Sequence, residues 1–562
     1  MKTALAMAQV QQMEAVRATR FDAVLARIES SIRRNPTLWM CTLLAAGIVV
    51  RIWQASGTFL HPDEALHYYI ANQTSWWLTY KASLSLSHPP LFILLLHAWR
   101  SVGISEFALR LPSIVAGMVF CWITFRWLGL LFKESVAWMA LVFLLFLPSS
   151  IDLSTEVRQY ALLLASTMGS AYLFELALAK NSAWTMLFSG VCLWLVILSH
   201  YSAFLFAATL GIYAIWRMWR NRPSLKVLAV WEAGQIIALG LCYFLYVTQI
   251  STLGNTYGGG SATHGWMANA YLGNSYFLPG KINPLLFIFA RTGGVFQYVF
   301  GQSIVGDLAF VLFVIGVFLV FRRPALGRLN SQQLGFLLIL PFALNCAAAL
   351  ARAYPYGGTR HSSFLLPFAI TGVSVALAYF LKNRIALGII AAVLITLLCN
   401  LFPSHRQPNT SRKDQSSANM ESALSFTREQ IKPGDPIFAD YQTSLMLNYY
   451  LCEREPVMMN HSVPGFLYYE CGGHKVIATD WNTDIFNPRS FREQWQLMVG
   501  GFHLPTGSKV WVTQMGPSTH LSGELAKVPD FHVAPHDFGS NIHFFDMTVG
   551  QNFPYPARLP KS

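Results

Sequence analysis

Charge is what this chain has least of. Only 12% of its 562 residues are Asp, Glu, Lys or Arg, about half the share found in soluble proteins. That scarcity excludes an ordinary soluble globule, and a hydrophobic content of 54% with mean hydropathy +0.41 points to a polytopic membrane protein. The formal net charge of +13 does not imply nucleic acid, because the basic residues fall in short clusters between apolar runs. There they orient the chain and meet anionic lipid. No internal repeat is visible. Residues 1–37 lack the continuous apolar core of a cleavable signal. Their spaced arginines (Arg17, Arg20, Arg27, Arg33, Arg34) read as an amphipathic helix on the cytoplasmic surface, a partly disordered tail being the alternative. Cysteines are few and show no metal-binding spacing. Six of the eight (Cys41, Cys121, Cys192, Cys242, Cys346, Cys399) lie in apolar segments as small hydrophobes. Cys452 and Cys471 lie in the polar tail, where a disulfide on an oxidising face and a free pair both remain open.

Eleven apolar segments are each near the ~20 residues a membrane helix needs: 38–55, 108–130, 134–151, 158–179, 184–200, 203–219, 227–248, 304–321, 333–351, 362–381 and 385–402. Segments 89–103 and 284–301 are ambiguous, so the count runs from 11 to 13. Treating both as interfacial or re-entrant puts Arg217/Arg220/Arg222/Lys226, Arg322/Arg323/Arg328 and Lys382/Arg384 on the side of the basic N-terminus, as the positive-inside rule asks. Re-entrant backbone needs cover from protein or a wet cavity, so this arrangement predicts an outer cavity. It also brings Asp63, Glu64, His88, Glu156, Arg158, Tyr160, His200, Tyr201, the stretch 249–283 and Tyr354 through His361 to one outer face. Residues 403–562 are polar. Strand-like runs (PIFAD, VIATD, KVWVTQ, IHFFDM) alternate with helical ones (TSLMLNYYL, SFREQWQLMV), which suggests an extracytoplasmic α/β accessory domain. The tail has neither a glycine-rich phosphate loop nor a nucleophile elbow.

The polar chemistry concentrates in four places. Asp63 and Glu64 open a segment rich in aromatics (Tyr68, Tyr69, Trp76, Trp77, Tyr80), a composition that suits helices lying in the interface. Asp63 alone reads as a helix cap after Pro62, but capping leaves the second carboxylate unexplained. His88 precedes Pro89-Pro90, which hold it at a rigid turn and allow it to donate to a phosphate if its pKa is raised. Glu156 and Arg158 sit between two spans. A local ion pair there is worth about 0–1 kcal/mol, yet ionisable groups at membrane depth mark function by default. In Tyr354–His361, Gly357-Gly358 allow close backbone approach and Arg360 with His361 can grip an oxyanion.

These residues in this order resemble the GT-C glycosyltransferases, in particular the dolichyl-phosphate-mannose protein mannosyltransferases and their bacterial relatives of the aminoarabinose-transferase kind. The matching strings are PDE at 62–64, HPPL at 88–91, SEFALRLPS at 105–113, EVRQY at 156–160 and TRHSSFLLP at 359–367, all within about the first 400 residues. The resemblance implies a polytopic α-helical catalytic module over 38–402, an N-terminal segment 1–37 and an outer domain over 403–562. It implies a bacterial plasma-membrane enzyme that passes a sugar from a polyprenyl-phosphate donor to a lipid, glycan or protein acceptor on the outer face. No cofactor is required, with a divalent Mg or Mn ion as an option that a carboxylate pair leaves open. Asp63 is expected as general base, with Glu64 and Glu156 as further catalytic carboxylates. His88, Arg158, Arg360 and His361 are expected at the donor phosphate, and Tyr160, His200, Tyr201 and Tyr354 against the substrate. A transporter or flippase of lipid-linked sugars is the alternative. It would be expected to show repeats and midplane polar sites.

Overall fold

A computed structural model of the chain describes residues 22–252, 272, 274–323, 326–404, 415–481, 490–516, 525 and 533–550. The first 21 residues of the N-terminal segment and Gly258-Gly259-Gly260 of the stretch 249–283 lie outside the described residues.

Among the described residues, eleven helical segments run between two faces. They are α1 (Pro36–Ser56), α5 (Glu106–Leu131), the pair α6 (Glu134–Phe146) and α7 (Pro148–Ser154), α8 (Tyr160–Lys180), α9 (Ala183–Ser199), α10 (Ala203–Asn221), α11 (Leu225–Leu245), α13 (Ser303–Arg322), α14 (Ser331–Leu350), α15 (Leu366–Phe380) and α16 (Ile385–Leu401). A 3₁₀ turn, Arg360–Leu365, leads into α15. Seven passages are long and apolar enough to cross a bilayer outright, and the α6–α7 pair is an eighth that bends by 61°. Helices α9 and α16 fall slightly short at 17 residues each, and α10, at 19 residues, is not among the seven. This is an integral membrane protein.

Contacts between loops sort the two faces. On one, Arg328 N donates to Leu131 O (2.8 Å), Ser135 meets Asn383 (3.3 Å), Arg384 meets Asp22 (2.9 Å) and Ser224 N donates to Asn181 (2.9 Å). Each of these loops belongs to or adjoins a basic cluster. The opposite face carries the first interhelical loop, with α2 (Pro62–Ala71), α3 (Trp76–Ser83) and α4 (Leu91–Trp99). At nine residues, α4 is about 14 Å long and cannot cross a ~30 Å core, which settles segment 89–103 as a non-spanning helix. Segment 284–301 forms α12 (Pro284–Phe300), and both of its ends lie on this same face. Before it, Phe277 N donates to Ala349 O (3.3 Å). At its end, Ser149 Oγ donates to Val299 O (2.6 Å) and Ser404 N to Gly301 O (3.2 Å).

The bend between α6 and α7 has an identifiable cause. Pro148 has no N–H to continue the ladder, so carbonyls near the end of α6 lose partners. Arg51, fully buried in α1, supplies donors to Leu145 O (2.9 Å), Leu144 O (3.2 Å) and Ser154 Oγ (2.7 Å). A buried guanidinium is tolerable because its donors are satisfied. The bend sends α7 toward Glu156 and Arg158.

Beyond α16 the tail folds as expected of an α/β unit. Helix α17 (Ser417–Gln430) precedes β1 (Ile437–Ala439), α18 (Tyr441–Leu451), β2 (Phe466–Cys471), β3 (His474–Thr479), α19 (Phe491–Gly501), β4 (Lys509–Gln514), β5 (His536–Asp537) and β6 (His543–Thr548). The sheet order is β2-β3-β1-β4-β6-β5. Central β1 runs parallel to both neighbours, Ile437 lying opposite Val476 and Trp511. Cys452 and Cys471 form a disulfide. The tail shares one hydrophobic core with the first loop, joining Phe59, Leu60 and Tyr68 to Met446, Tyr449 and Tyr450. Leu60 N donates to Tyr450 Oη (2.9 Å) and Tyr449 Oη to Ile104 O (2.8 Å), and Arg454 pairs with Glu106 (3.1 Å). The seam leaves a cleft of about 550 Å³ bordered by Tyr68, Trp76, Arg100 and Glu455.

Candidate active site

The site is built from the first turn of α2. His61, not Asp63, caps this helix: its Nδ1 accepts from Asp63 N (3.1 Å), while Glu64 Oε2 accepts from His61 N (2.9 Å). The capping box uses one carboxylate to fix the turn and releases the other to point elsewhere. Glu64 is 1% exposed and both its oxygens are occupied. Arg110 of α5 grips it through Nε to Oε1 (2.9 Å) and Nη2 to Oε2 (2.8 Å), and Val157 N donates to Oε1 (2.8 Å). Arg110 spends further donors on the carbonyls of Ala55, Thr58 and Phe59 (2.7–2.9 Å). Glu64, expected as a catalytic group, thus ties α1, α2, α5 and the 156–158 loop together.

Asp63 faces the other way, with its side chain a quarter exposed. Its Oδ2 receives Arg158 Nη1 at 2.7 Å and Arg360 Nη2 at 2.5 Å. Both guanidiniums lie against the ring of Tyr160, at 5.6 and 5.9 Å from its centroid, where the negative ring face offsets their mutual repulsion. Burial on its own would raise the Asp63 pKa. Arg158, then Arg360 and His61, reverse that and hold the carboxyl well below the usual range.

Beside this clamp runs a row of imidazoles. His67 meets His88 at 5.9 Å, His88 stacks on His200 at 5.4 Å, and His200 meets His361 at 6.0 Å. His88 Nε2 lies 3.4 Å from Arg158 Nη2. Arginine can only donate, so that nitrogen accepts and Nδ1 carries the proton. The condition for a charged His88, a raised pKa, does not hold: burial, and then Arg158 and the neighbouring imidazoles, push its pKa well below the ordinary value. His67 behaves alike, pushed down to about 3 by burial and then Arg158, while its Nδ1 donates to Asp63 O (2.7 Å). His200 is buried beside Tyr160 (5.2 Å), with Nδ1 2.8 Å from Ser202 Oγ. Tyr354 Oη donates to His361 O (3.2 Å), and Tyr201 packs on Phe204 at 6.0 Å. Glu156 is buried (7% exposed) and close enough to act electrostatically on His61. The close approach that the glycine pair allows is to α12: a Cβ at Gly294 would come 3.3 Å from Gly358 N, and Gly357 takes φ +147° beside Arg291.

Three neighbours of the site have little sequence signal. His67 looks like any histidine of an aromatic segment. Arg110 looks like a lone charge in a span. Gln249 sits in a π-helical turn (Tyr246–Ile250), a feature frequent at functional sites. Its amide donates to Ser83 O (3.2 Å), Leu86 O (2.8 Å) and His88 O (2.8 Å), so it pins the His88 turn. Only the π-turn geometry reveals it.

Comparison with known proteins locates this arrangement. Residues 87–246 match the family described as dolichyl-phosphate-mannose-protein mannosyltransferase, a span that holds His88, Arg158, Tyr160 and His200. No curated protein sequence matches the chain. Among solved structures, ArnT from Cupriavidus metallidurans in the apo state superposes with TM-score 0.50 at 11% identity, over 91% of this chain and 98% of that one. The fold is ArnT-like. The same bacterial ArnT bound to undecaprenyl phosphate gives TM-score 0.48 at 12% identity over the same shares of both chains. The archaeal oligosaccharyltransferase AglB from Archaeoglobus fulgidus, in complex with an inhibitory peptide and a dolichol-phosphate, gives 0.42 at 10% identity, over 75% of this chain and 64% of that one. In this ArnT-like fold Asp63, His88, Arg158, Tyr160, His200, Arg360 and His361 meet in one place, while Glu64 lies behind it.

Proposed function

We propose that the chain is an inverting glycosyltransferase that moves a hexosyl or pentosyl unit from a polyprenyl-phosphate donor to a lipid, glycan or protein acceptor on the outer face of a bacterial plasma membrane. The observation that carries this reading is the Asp63–Arg158–Arg360 clamp, two buried cations on one carboxylate whose side chain is a quarter exposed. The dolichyl-phosphate sugar in the name of the family matched by residues 87–246 supports it. The outer location rests on the basic clusters gathered at the opposite face and on the Cys452–Cys471 disulfide of the tail, which suits an oxidising compartment.

The chemistry needs three things. The acceptor O–H or N–H attacks the anomeric carbon of the donor sugar, and its proton passes to Asp63 as general base. The bond from that carbon to the phosphate oxygen breaks with its electron pair staying on the phosphate. Arg158 and Arg360 stabilise the growing charge in a water-poor site. Positive charge on the sugar in the transition state is balanced by Glu156, as carboxylates do in glycoside hydrolysis. The row His67–His88–His200–His361 forms a polar wall for the sugar, with His67 Nε2, His88 Nδ1 and His361 Nε2 lacking partners among the described residues. Asp63 and Glu64 do not converge as a metal chelate, since Arg110 engages Glu64 on the far side. The arginines supply the positive charge, and chelation with EDTA is expected to leave turnover unchanged. A flippase reading fits less well, because the polar groups gather at one face rather than the midplane.

The test is release of polyprenyl phosphate by reconstituted protein given a polyprenyl-phosphate sugar and an acceptor extract. Asp63→Asn is expected to fold normally and lose at least about 10²-fold in rate. Near-normal turnover would remove Asp63 as the base.

A further inference from the structure

Asp63 as found is a poor base. One oxygen holds two guanidiniums, at 2.7 and 2.5 Å, and a carboxylate so engaged gains little from taking a proton. The same two groups are the nearest cations to offer a phosphate. The two roles compete for the same N–H donors. Neutral histidines fill the flank of the clamp at Arg158, so they add no fixed charge to either side of the exchange. Glu64 does not take part, since Arg110 and two backbone amides saturate it.

We propose that Asp63 serves as a placeholder for the donor phosphate: the phosphate displaces it from Arg158 and Arg360, and only then is the carboxylate free to act as base. This inference rests on the transferase reading and adds an order of events to it. With the site empty, the arginines neutralise Asp63 and no water is activated beside a reactive pocket. When the donor enters, its phosphate oxygens accept from Arg158 Nη1 and Arg360 Nη2, and the freed carboxylate regains its basicity. The acceptor's proton then moves to Asp63 as the new bond forms at the sugar carbon. The leaving oxygen keeps the electron pair and stays on the arginines. Release of lipid phosphate, with loss of the Asp63 proton to water, restores the clamp. Tyr160, in contact with both guanidiniums, keeps them together through the exchange.

The experiment measures binding of polyprenyl phosphate, without a sugar, to the full-length protein in nanodiscs. Competition predicts that Asp63→Asn binds it at least about tenfold more tightly than the native protein, because an anion rival for the arginines is gone. It predicts less than about threefold tightening when Arg360→Gln is already present, since one contested donor set is lost. Asp63→Ser takes the same role if the amide variant does not fold. Unchanged or weaker binding by the Asp63 variants would overturn the exchange and make Asp63 a mere anchor for the arginines. Absence of binding by the native protein would instead overturn the transferase reading itself, so the two failures are separable.

Discussion

Asp63 and Glu64 are adjacent in sequence, ionised and paired with arginine, yet they live in opposite surroundings. Successive residues of a helix point about 100° apart, so the first turn of α2 sends one carboxylate inward and the other to the pocket. Glu64 and Arg110 form a closed lattice, with both carboxylate oxygens satisfied and Arg110 also bonded to three carbonyls. Nothing is left over for a substrate. Asp63 stands a quarter exposed with two cations on one oxygen, an excess of positive charge that a phosphate would complete. The difference teaches that a pair of neighbouring acids need not be a catalytic pair: one holds the other in place.

Three measurements sharpen or break that contrast. The largest effect is expected at Asp63. Its Asn variant should lose about 10²- to 10⁴-fold in turnover while losing less stability than Glu64→Gln, because Asp63 is a quarter exposed. A large loss of stability would put Asp63 on the structural side with Glu64. Glu64→Gln should do the reverse, destabilising the protein by about 3–5 kcal/mol because a buried guanidinium loses its counter-charge. Replacing both partners, Glu64→Leu with Arg110→Met, should recover much of that stability. A double variant no better than the single one would show that the lattice does more than balance charge.

The smallest effect concerns His67, on the Asp63 side of α2. Its pKa is lowered from 6.5 to about 3, so as pH falls below 6.5 the unfolded chain binds a proton that the folded site refuses. Stability therefore drops with falling pH across that window, by roughly 2 kcal/mol between pH 6.5 and 5 for a group shifted this far. His67→Phe should flatten the slope of unfolding midpoint against pH over that interval. An unaltered slope would show that His67 titrates as an exposed imidazole does.

Much of this molecule is readable from its residues. The eleven apolar runs all lie on helices, seven of them, or eight with the bent pair, long and apolar enough to cross a bilayer, because an unbroken stretch near twenty residues in lipid has few other options. PIFAD, VIATD, KVWVTQ and IHFFDM became β1, β3, β4 and β6, since short β-branched and aromatic runs between turn residues have a strong local preference. His88 before Pro89-Pro90 and Arg360 after Gly357-Gly358 were visible as unusual strings. Less visible were groups whose meaning depends on distant partners. Arg51 is an ordinary charge near a span end until Pro148 breaks α6 and strands two carbonyls. Gln249 is unremarkable until three carbonyls of the 83–88 turn converge on it.

Charge scarcity, apolar run length and the strand-like tail are local properties, and they alone determined that the protein is a membrane-embedded helical bundle with an α/β tail. Which carboxylate faces the pocket was decided only in three dimensions. The capping box at His61 turns Glu64 toward Arg110, and two arginines from loops about two hundred residues apart in sequence close on Asp63. The protonation of a side chain follows the charges and solvent around it, and these come from distant segments that only packing brings together.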